Sequence, residues 1–222
     1  MAHGSREPES GDLTGSRIRR LRNAAAVSSL PVMPPPFRKR MAAWVSVAAH
    51  PFVLVPVLVT VVAVRSMPPR QAAIVVGLVL AGSILPMLWM IVRRVRSGAW
   101  TDHDVSVREQ RTGFYPAALA MTGGTVVLLY AFGVGPSILR GTVAIFGLIA
   151  VSALVNLWLK VSLHAGFAAF TAVALFAVSQ PMGVAAVAVA LAVAWSRLEL
   201  RRHTWLEVVV GALLGIGAAL LL

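Results

Sequence analysis

Residues 196–207 lie between two long apolar runs and contain three arginines, one histidine and two glutamates. Ionisable side chains at a membrane boundary cost free energy unless they have a task, so this stretch is a candidate functional site. If a helix begins near His203, then His203 and Glu207 stand four residues apart on one face of that helix. The carboxylate can then hold one ring nitrogen of the histidine and leave the other free to act as a nucleophile.

A second interpretation of the same residues is purely structural. Residues 204–207, Thr-Trp-Leu-Glu, have the Ser/Thr-x-x-Glu form of a capping box. In a capping box Glu207 reaches back to the backbone N–H of Thr204, and His203 then takes no part in chemistry. The sequence leaves both interpretations open.

A second polar stretch contains residues suited to a phosphate group. Lys160, Ser162 and His164 stand where another apolar run begins. A helix N-terminus at this point would present free backbone N–H groups and the positive end of the helix dipole, and Ser162 would add a hydroxyl. Alternatively, Ser162 only caps the helix and His164 is an ordinary boundary histidine.

The third polar stretch, residues 102–111, precedes another apolar run. Arg108 and Arg111 are three residues apart, which places both on one face of a helix, and guanidinium groups bind phosphate bidentately. A basic loop that only fixes topology is the alternative. Asp102 and Asp104 are possible Mg²⁺ ligands, but two carboxylates without a third ligand do not make a site. We therefore expect neither a metal nor another cofactor.

The composition is that of an integral membrane protein. Of the 222 residues, 58% are hydrophobic and 13% are charged, and the mean hydropathy is +0.82. No cysteine is present, which excludes disulfides and thiolate metal sites. The net charge of +12 fits anionic lipid head groups and basic cytoplasmic loops, so we expect a membrane partner and no nucleic acid.

Apolar runs of about 20 residues predict an all-α, polytopic helix bundle with about six to seven transmembrane helices. Residues 1–40 are expected to be a disordered basic tail, and residues 41–222 the membrane domain. Prolines 51, 56 and 86 should bend the first two helices or disturb their hydrogen bonds. His50 is expected to be structural, with a place in a cavity wall as the alternative. The predicted helices are 41–64, 71–92, 114–134, 141–159, 162–179, 182–198 and 204–222.

Seven spans would place all three polar stretches on the side of the membrane that holds the N-terminus. Of the 20 Lys and Arg residues, 17 fall on that side. The positive-inside rule then puts the N-terminus and the three stretches in the cytoplasm of a bacterial-type plasma membrane. The hydropathy pattern alone therefore predicts that these stretches can form one site.

The spacing within residues 196–207 resembles a known signature. Ser-Arg, five residues, His, three residues and an acid is similar to the third signature of the type 2 phosphatidic acid phosphatase superfamily, in which the acid is Asp. Ser162 and His164 match two of the four positions in the second signature, Pro-Ser-Gly-His. Residues 104–112 depart from the first signature, Lys-x6-Arg-Pro, because Asp104 and Thr112 replace the Lys and the Pro.

The resemblance implies a metal-independent membrane lipid phosphatase. Its substrate would be a phosphomonoester or diphosphate of a lipid alcohol, of the phosphatidic acid or prenyl phosphate type, hydrolysed through a phosphohistidine. His203 would be the nucleophile, Glu207 its partner and His164 the acid that protonates the leaving oxygen. The implied phosphate-binding residues are Arg197, Arg111, Arg108, Ser162 and Lys160.

The alternative function is that of a catalytically inactive relative that binds lipid or serves in assembly. It is motivated by Val161 and Leu163, which stand where the second signature has Pro and Gly.

Overall fold

The computed structural model describes residues 36–222, so most of the predicted tail lies outside the described residues. The described part of the chain is all-helical and contains no strand. Residues 37–40, expected in the tail, already belong to the first helix. The helices are α1 Phe37–Ala48, α2 Pro51–Ser66, α3 Pro69–Val79, a π-helical segment Leu80–Ile84, α4 Leu85–Arg96, α5 Arg111–Ala131, α6 Pro136–Val155, α7 Leu163–Val178, α8 Gln180–Glu199 and α9 Trp205–Ala219.

Four to five of these elements are long and apolar enough to cross a membrane. Four are continuous, namely Pro69–Arg96, Arg111–Ala131, Pro136–Val155 and Gln180–Glu199. Helices α1 and α2 together make a fifth candidate that is bent by 45°. Helices α7 and α9 are apolar but have only 16 and 15 residues, fewer than the roughly 20 that span a bilayer. Helix length therefore supports membrane integration but does not establish six to seven spans.

Proline shapes the first two apolar runs. Pro51 begins α2, and the residue before a proline is driven to an extended conformation, so α1 ends and His50 adopts ψ 145°. The ring Nδ1 of His50 accepts a hydrogen bond from the backbone N–H of Phe52 at 3.1 Å and so caps α2. Pro86 follows the π-helical segment without ending the helix, and α2 likewise continues through Pro56.

Helix α7 is the central element. Eleven of its 16 residues are buried, and it packs against α2, α8 and α9. The sequence pattern predicts a turn at residues 180–183 between neighbouring helices. The two helices are neighbours, but only Ser179 separates them, and Pro181 lies in the first turn of α8 where proline is tolerated.

Glycines bring α7 and α9 into backbone contact. A Cβ atom on Gly215 would lie 2.0 Å from the carbonyl oxygen of Gly166, and one on Gly211 would lie 2.4 Å from that of Ser162. Neither carbonyl can move without shifting a helix. The start of α7 can therefore lie against the first turns of α9 only because these positions lack side chains.

This packing makes a testable prediction. Gly215→Ala should lower the free energy of unfolding by about 1–3 kcal/mol, the usual cost of overpacking. Gly217→Ala is the matched control, because nothing lies within 4 Å of a Cβ there and removing a helical glycine gains about 0.5–1 kcal/mol. Thermal unfolding in detergent measures both. Equal melting temperatures for the two variants would contradict the assigned contact.

Candidate active site

The three polar stretches meet at one end of the bundle. They form the α4–α5 loop (97–110), the α6–α7 loop (156–162) and the α8–α9 loop (200–204). Arg202 pairs with Asp102 at 3.3 Å, and Lys160 Nζ donates to the Arg202 carbonyl at 2.6 Å. Arg108 Nε donates to the Asn156 carbonyl at 2.9 Å. These contacts join each loop to at least one other and assemble a single polar region.

His203 and Glu207 form a close pair at the start of α9. The distance from His203 Nδ1 to Glu207 Oε2 is 2.7 Å, and the histidine side chain is 1% exposed. The same carboxylate oxygen accepts the N–H of Thr204 at 3.3 Å, and Thr204 Oγ1 accepts the N–H of Glu207 at 3.4 Å. The capping box and the histidine–carboxylate pair, which the sequence presents as alternatives, therefore coexist.

The pair fixes the state of the imidazole. A carboxylate only accepts hydrogen bonds, so Nδ1 carries the proton and Nε2 keeps its lone pair. Burial, together with the positive charges of Lys160, Arg111 and other nearby arginines, lowers the pKa of His203 from 6.5 to about 2. Glu207 acts in the opposite direction, but one carboxylate is outnumbered, and the net direction is downward. His203 is therefore neutral near pH 7, as a nucleophilic imidazole must be.

Arg197 is the largest fully buried side chain of the described residues, at 1% exposure. Its Nη1 donates to Asp104 Oδ2 at 2.8 Å and to Ser46 Oγ at 2.6 Å. Its carbonyl accepts the N–H groups of Arg202 and His203, which shapes the loop before α9. Its Nε is buried without a hydrogen-bond partner among the described residues. A buried guanidinium with an unused N–H is suited to an anionic ligand.

His164 and His50 both lie beside one carboxylate oxygen of Asp104. Asp104 Oδ1 is 3.8 Å from His164 Nε2 and 3.9 Å from His50 Nε2. The two rings pack edge to face with their centroids 4.6 Å apart. The sequence favours a purely structural role for His50, and the structure instead supports the alternative, because His50 lines the site cavity. The 45° break before Pro51 is what aims His50 there, and only that proline marks it in the sequence.

Two predicted phosphate ligands are engaged elsewhere. Ser162 is fully buried, caps α7 by accepting the N–H of Ala165 at 3.4 Å, and donates its own N–H to the Glu207 carbonyl at 3.1 Å. Arg108 precedes α5 rather than lying on it, so the prediction that it shares a helix face with Arg111 was wrong. Its guanidinium donates to the carbonyls of Asn156 and Leu157.

Arg111 does reach the buried site. It is 4% exposed, and its side chain donates to the carbonyls of Val105 at 3.0 Å and Val161 at 2.6 Å. Lys160 lies half-buried nearby, and burial lowers its pKa. The positive charge around His203 therefore comes from Arg197, Arg111 and Lys160 rather than from Arg108.

Asp102 and Asp104 do not form the carboxylate pair that a Mg²⁺ site would need. Asp102 accepts hydrogen bonds from Ser106 and pairs with Arg202. Although burial raises the pKa of Asp102, these contacts hold it below its usual 3.8. Asp104 faces Arg197 and the two histidines instead.

His50, Asp104 and His164 form a group whose donor atoms lie within 4.8 Å of one another, close enough to consider a metal. Two features oppose a cation. His50 Nδ1 accepts the Phe52 N–H, which leaves the ring proton on Nε2, the nitrogen that faces Asp104. Arg197 already neutralises the carboxylate at 2.8 Å. A ligating imidazole must offer a lone pair, so the arrangement favours proton sharing over metal binding.

An apolar cavity runs from this polar region into the bundle. The volume of the cavity, including its open mouth, is about 1020 Å³. His50, His103, Asp104, Arg111 and His164 line one end. The walls come from α2, the π-helical segment, α4, α5, α6 and α7, and include Val55, Val59, Ile84, Met87, Ile91, Phe114, Ile145, Ile149 and Phe167.

The neutral, buried state of His203 predicts a pH dependence. The unfolded histidine titrates near 6.5 and the folded one near 2, so below pH 6.5 only the unfolded chain binds the proton. The neutral, buried His203 carries no penalty on folding above pH 6.5, and the penalty grows as the pH falls below that value. Between pH 7.5 and 5.5 it should cost roughly 1 kcal/mol. The free energy of unfolding in His203→Gln should fall less over this range, whereas an unchanged slope would contradict the assignment.

No protein-family model, no curated protein and no solved structure matches this chain.

Proposed function

We propose that the protein is an integral membrane lipid phosphatase of the type 2 phosphatidic acid phosphatase kind. It would hydrolyse a phosphomonoester or diphosphate of a lipid alcohol through a phosphohistidine. The observation that carries the proposal is the 2.7 Å pair of His203 and Glu207. This pair lies next to the buried Arg197, whose Nε lacks a partner.

The chemistry follows from the state of each group. The Nε2 lone pair of His203 attacks phosphorus, and the bond from phosphorus to the alcohol oxygen breaks. The positive charge that develops on the imidazole is stabilised by Glu207 at Nδ1. Arg197, Arg111 and Lys160 stabilise the phosphoryl oxygens, as a cationic clamp does in other phosphoryl transfers.

His164 completes the cycle as acid and then base. It gives a proton to the departing alcohol oxygen and later takes one from the water that attacks the phosphohistidine. The second step cleaves the phosphorus–nitrogen bond and restores neutral His203. This sequence balances protons over one turnover and requires no metal ion.

The cavity and the aromatic residues favour a lipid substrate. An apolar space lined at one end by Arg111 and His164 suits a hydrocarbon tail attached to a phosphate. Trp44, Trp89, Trp158 and Trp205 are exposed, as tryptophans at membrane interfaces are. We infer that these residues mark the head-group level on the cytoplasmic side, and that the shorter α7 and α9 also cross, which gives six to seven spans with the N-terminus in the cytoplasm.

Phosphate release from phosphatidic acid and from a prenyl diphosphate by the purified protein tests the proposal. His203→Ala should lower kcat by about a thousandfold or more, because the variant lacks the imidazole that forms the covalent intermediate. Arg201→Ala is the matched control, since it truncates an exposed residue of the same loop. Activity that persists in His203→Ala would exclude this nucleophile.

Glu207→Gln separates the two tasks of that residue. Gln can still form the capping box, so the melting temperature should stay close to that of the unmodified protein. The neutral amide cannot stabilise the imidazolium, so kcat should fall about a hundredfold or more. A kcat within about threefold of that of the unmodified protein would show that Glu207 acts only as a cap.

An inactive, lipid-binding role is the second candidate. The observation that favours it is the engagement of Ser162 and Arg108 with protein backbone, which removes two of the predicted phosphate ligands. Lipid binding without phosphate release by the unmodified protein would support this candidate.

A further inference from the structure

We propose that Asp104 is the carboxylate that orients His164 as the acid of phosphoryl transfer, and that His50 holds this carboxylate in place. The inference rests on the proposed phosphatase function. It gives the site two carboxylate–imidazole pairs, Glu207 with His203 for attack on phosphorus and Asp104 with His164 for departure of the alcohol. Neither Asp104 nor His50 belongs to the residues that the sequence signatures mark for catalysis.

A buried histidine that acts as an acid needs a negative charge nearby to hold its proton. His164 is 6% exposed and shares Asp104 with Arg197, so its protonated form needs the negative charge of that carboxylate. Its Nε2 is buried without a hydrogen-bond partner, and Asp104 Oδ1 lies 3.8 Å away. This distance exceeds a hydrogen bond, but catalytic hydrogen bonds commonly tighten when substrate binds. With Nε2 facing the carboxylate, Nδ1 is the nitrogen that passes its proton to the alcohol oxygen.

The two carboxylate oxygens of Asp104 have different partners. Oδ2 accepts from Arg197 Nη1 at 2.8 Å, whereas Oδ1 faces the two histidines. Neutralising Arg197 would not by itself require the other oxygen to lie beside two imidazoles. Asp104 thus links the cation that binds phosphate to the acid that releases the alcohol.

A hydrogen bond also fixes which ring nitrogen of His50 carries the proton. Its Nδ1 accepts the Phe52 N–H at 3.1 Å, so the proton of the neutral ring is on Nε2 and faces Asp104 Oδ1. The edge-to-face packing of His50 on His164 keeps both rings around that oxygen. His50 is therefore a positioning residue and not a second acid.

The backbone beside Asp104 is held in a strained state, as expected for a positioned functional residue. Val105 adopts φ 47°, a left-handed conformation that β-branched residues rarely take. The loop keeps this state because Asp102 accepts the N–H groups of Asp104 and Ser106, at 2.9 and 3.3 Å. Arg111 donates to the Val105 carbonyl at 3.0 Å. These bonds determine where the Asp104 carboxylate lies.

The test compares two leaving groups. Dodecyl phosphate releases an alkoxide that must be protonated, whereas 4-nitrophenyl phosphate releases a stable phenolate. The comparison uses kcat/KM, which reports attack on phosphorus and departure of the alcohol but not the later hydrolysis of the phosphohistidine. Asp104→Asn should lower kcat/KM for dodecyl phosphate by about a hundredfold or more and kcat/KM for 4-nitrophenyl phosphate by less than about fivefold, because general-acid catalysis contributes about 10²–10⁴-fold. If Asp104 only positions Arg197, both rates fall by the same factor, and that result overturns the proposal.

Matched variants sharpen the result. Glu109→Gln removes an exposed carboxylate of the same loop and should leave both rates unchanged. Asp104→Glu keeps the negative charge and should show the same difference between substrates in weaker form. It also serves as the test variant if Asp104→Asn does not fold. A difference between substrates that is as large in Glu109→Gln as in Asp104→Asn would contradict the assignment.

A readout without turnover separates this inference from the proposed function. Histidine ¹⁵N NMR in detergent should show that Asp104→Asn shifts the ring signals of His164 and His50 and leaves those of His203 unchanged. If the unmodified protein hydrolyses neither phosphate while these shifts occur, the phosphatase proposal fails and the contact of Asp104 with the two histidines stands. Unshifted His164 signals would overturn the inference whatever the activity.

Discussion

The site depends on one buried ion pair, that of Arg197 with Asp104. A guanidinium at 1% exposure needs a carboxylate partner, because an uncompensated buried charge costs several kcal/mol. Arg197 lies in the last turn of α8, and Asp104 belongs to the α4–α5 loop. Ser46, which also accepts a hydrogen bond from Arg197, belongs to α1. One side chain therefore ties three distant parts of the chain together. The same pair leaves one oxygen of Asp104 for the histidines and one N–H of Arg197 without a protein partner.

A second constraint acts through helix packing. Gly211 and Gly215 let α9 lie against the start of α7, so the N–H of Ser162 can reach the carbonyl of Glu207 at 3.1 Å. The carbonyl of Glu207 thus holds the α6–α7 loop through Ser162, and its carboxylate holds His203. The distance between the two halves of the site is set by the absence of side chains at Gly211 and Gly215.

Much of this arrangement could be predicted from the sequence because it depends on local spacing. The His203 and Glu207 pair follows from helical periodicity, and the meeting of the three polar stretches follows from counting apolar runs. Helical periodicity did not predict where the Arg108 side chain lies, because α5 begins only at Arg111 and the preceding loop follows no regular spacing. Hydropathy also does not reveal that α7 and α9 are short, so helix length supports four to five spans and the six to seven stay a prediction.

The roles of Asp104 and His50 could not be read from spacing. They are 54 residues apart and meet because Pro51 breaks the first apolar run and because Val105 turns the loop back towards α7. Both effects depend on tertiary contacts that stabilise an unusual backbone state. A lone histidine in an apolar run has no pattern that distinguishes a structural role from a role in the site.

The central claim is that His203 becomes covalently phosphorylated during turnover. The most direct measurement is rapid acid-free denaturation of the protein during hydrolysis of a ³²P-labelled lipid phosphate, followed by mapping of the labelled peptide. The account predicts an acid-labile, alkali-stable label on the peptide that contains His203. A label on another residue, or turnover without any label on the protein, would contradict it.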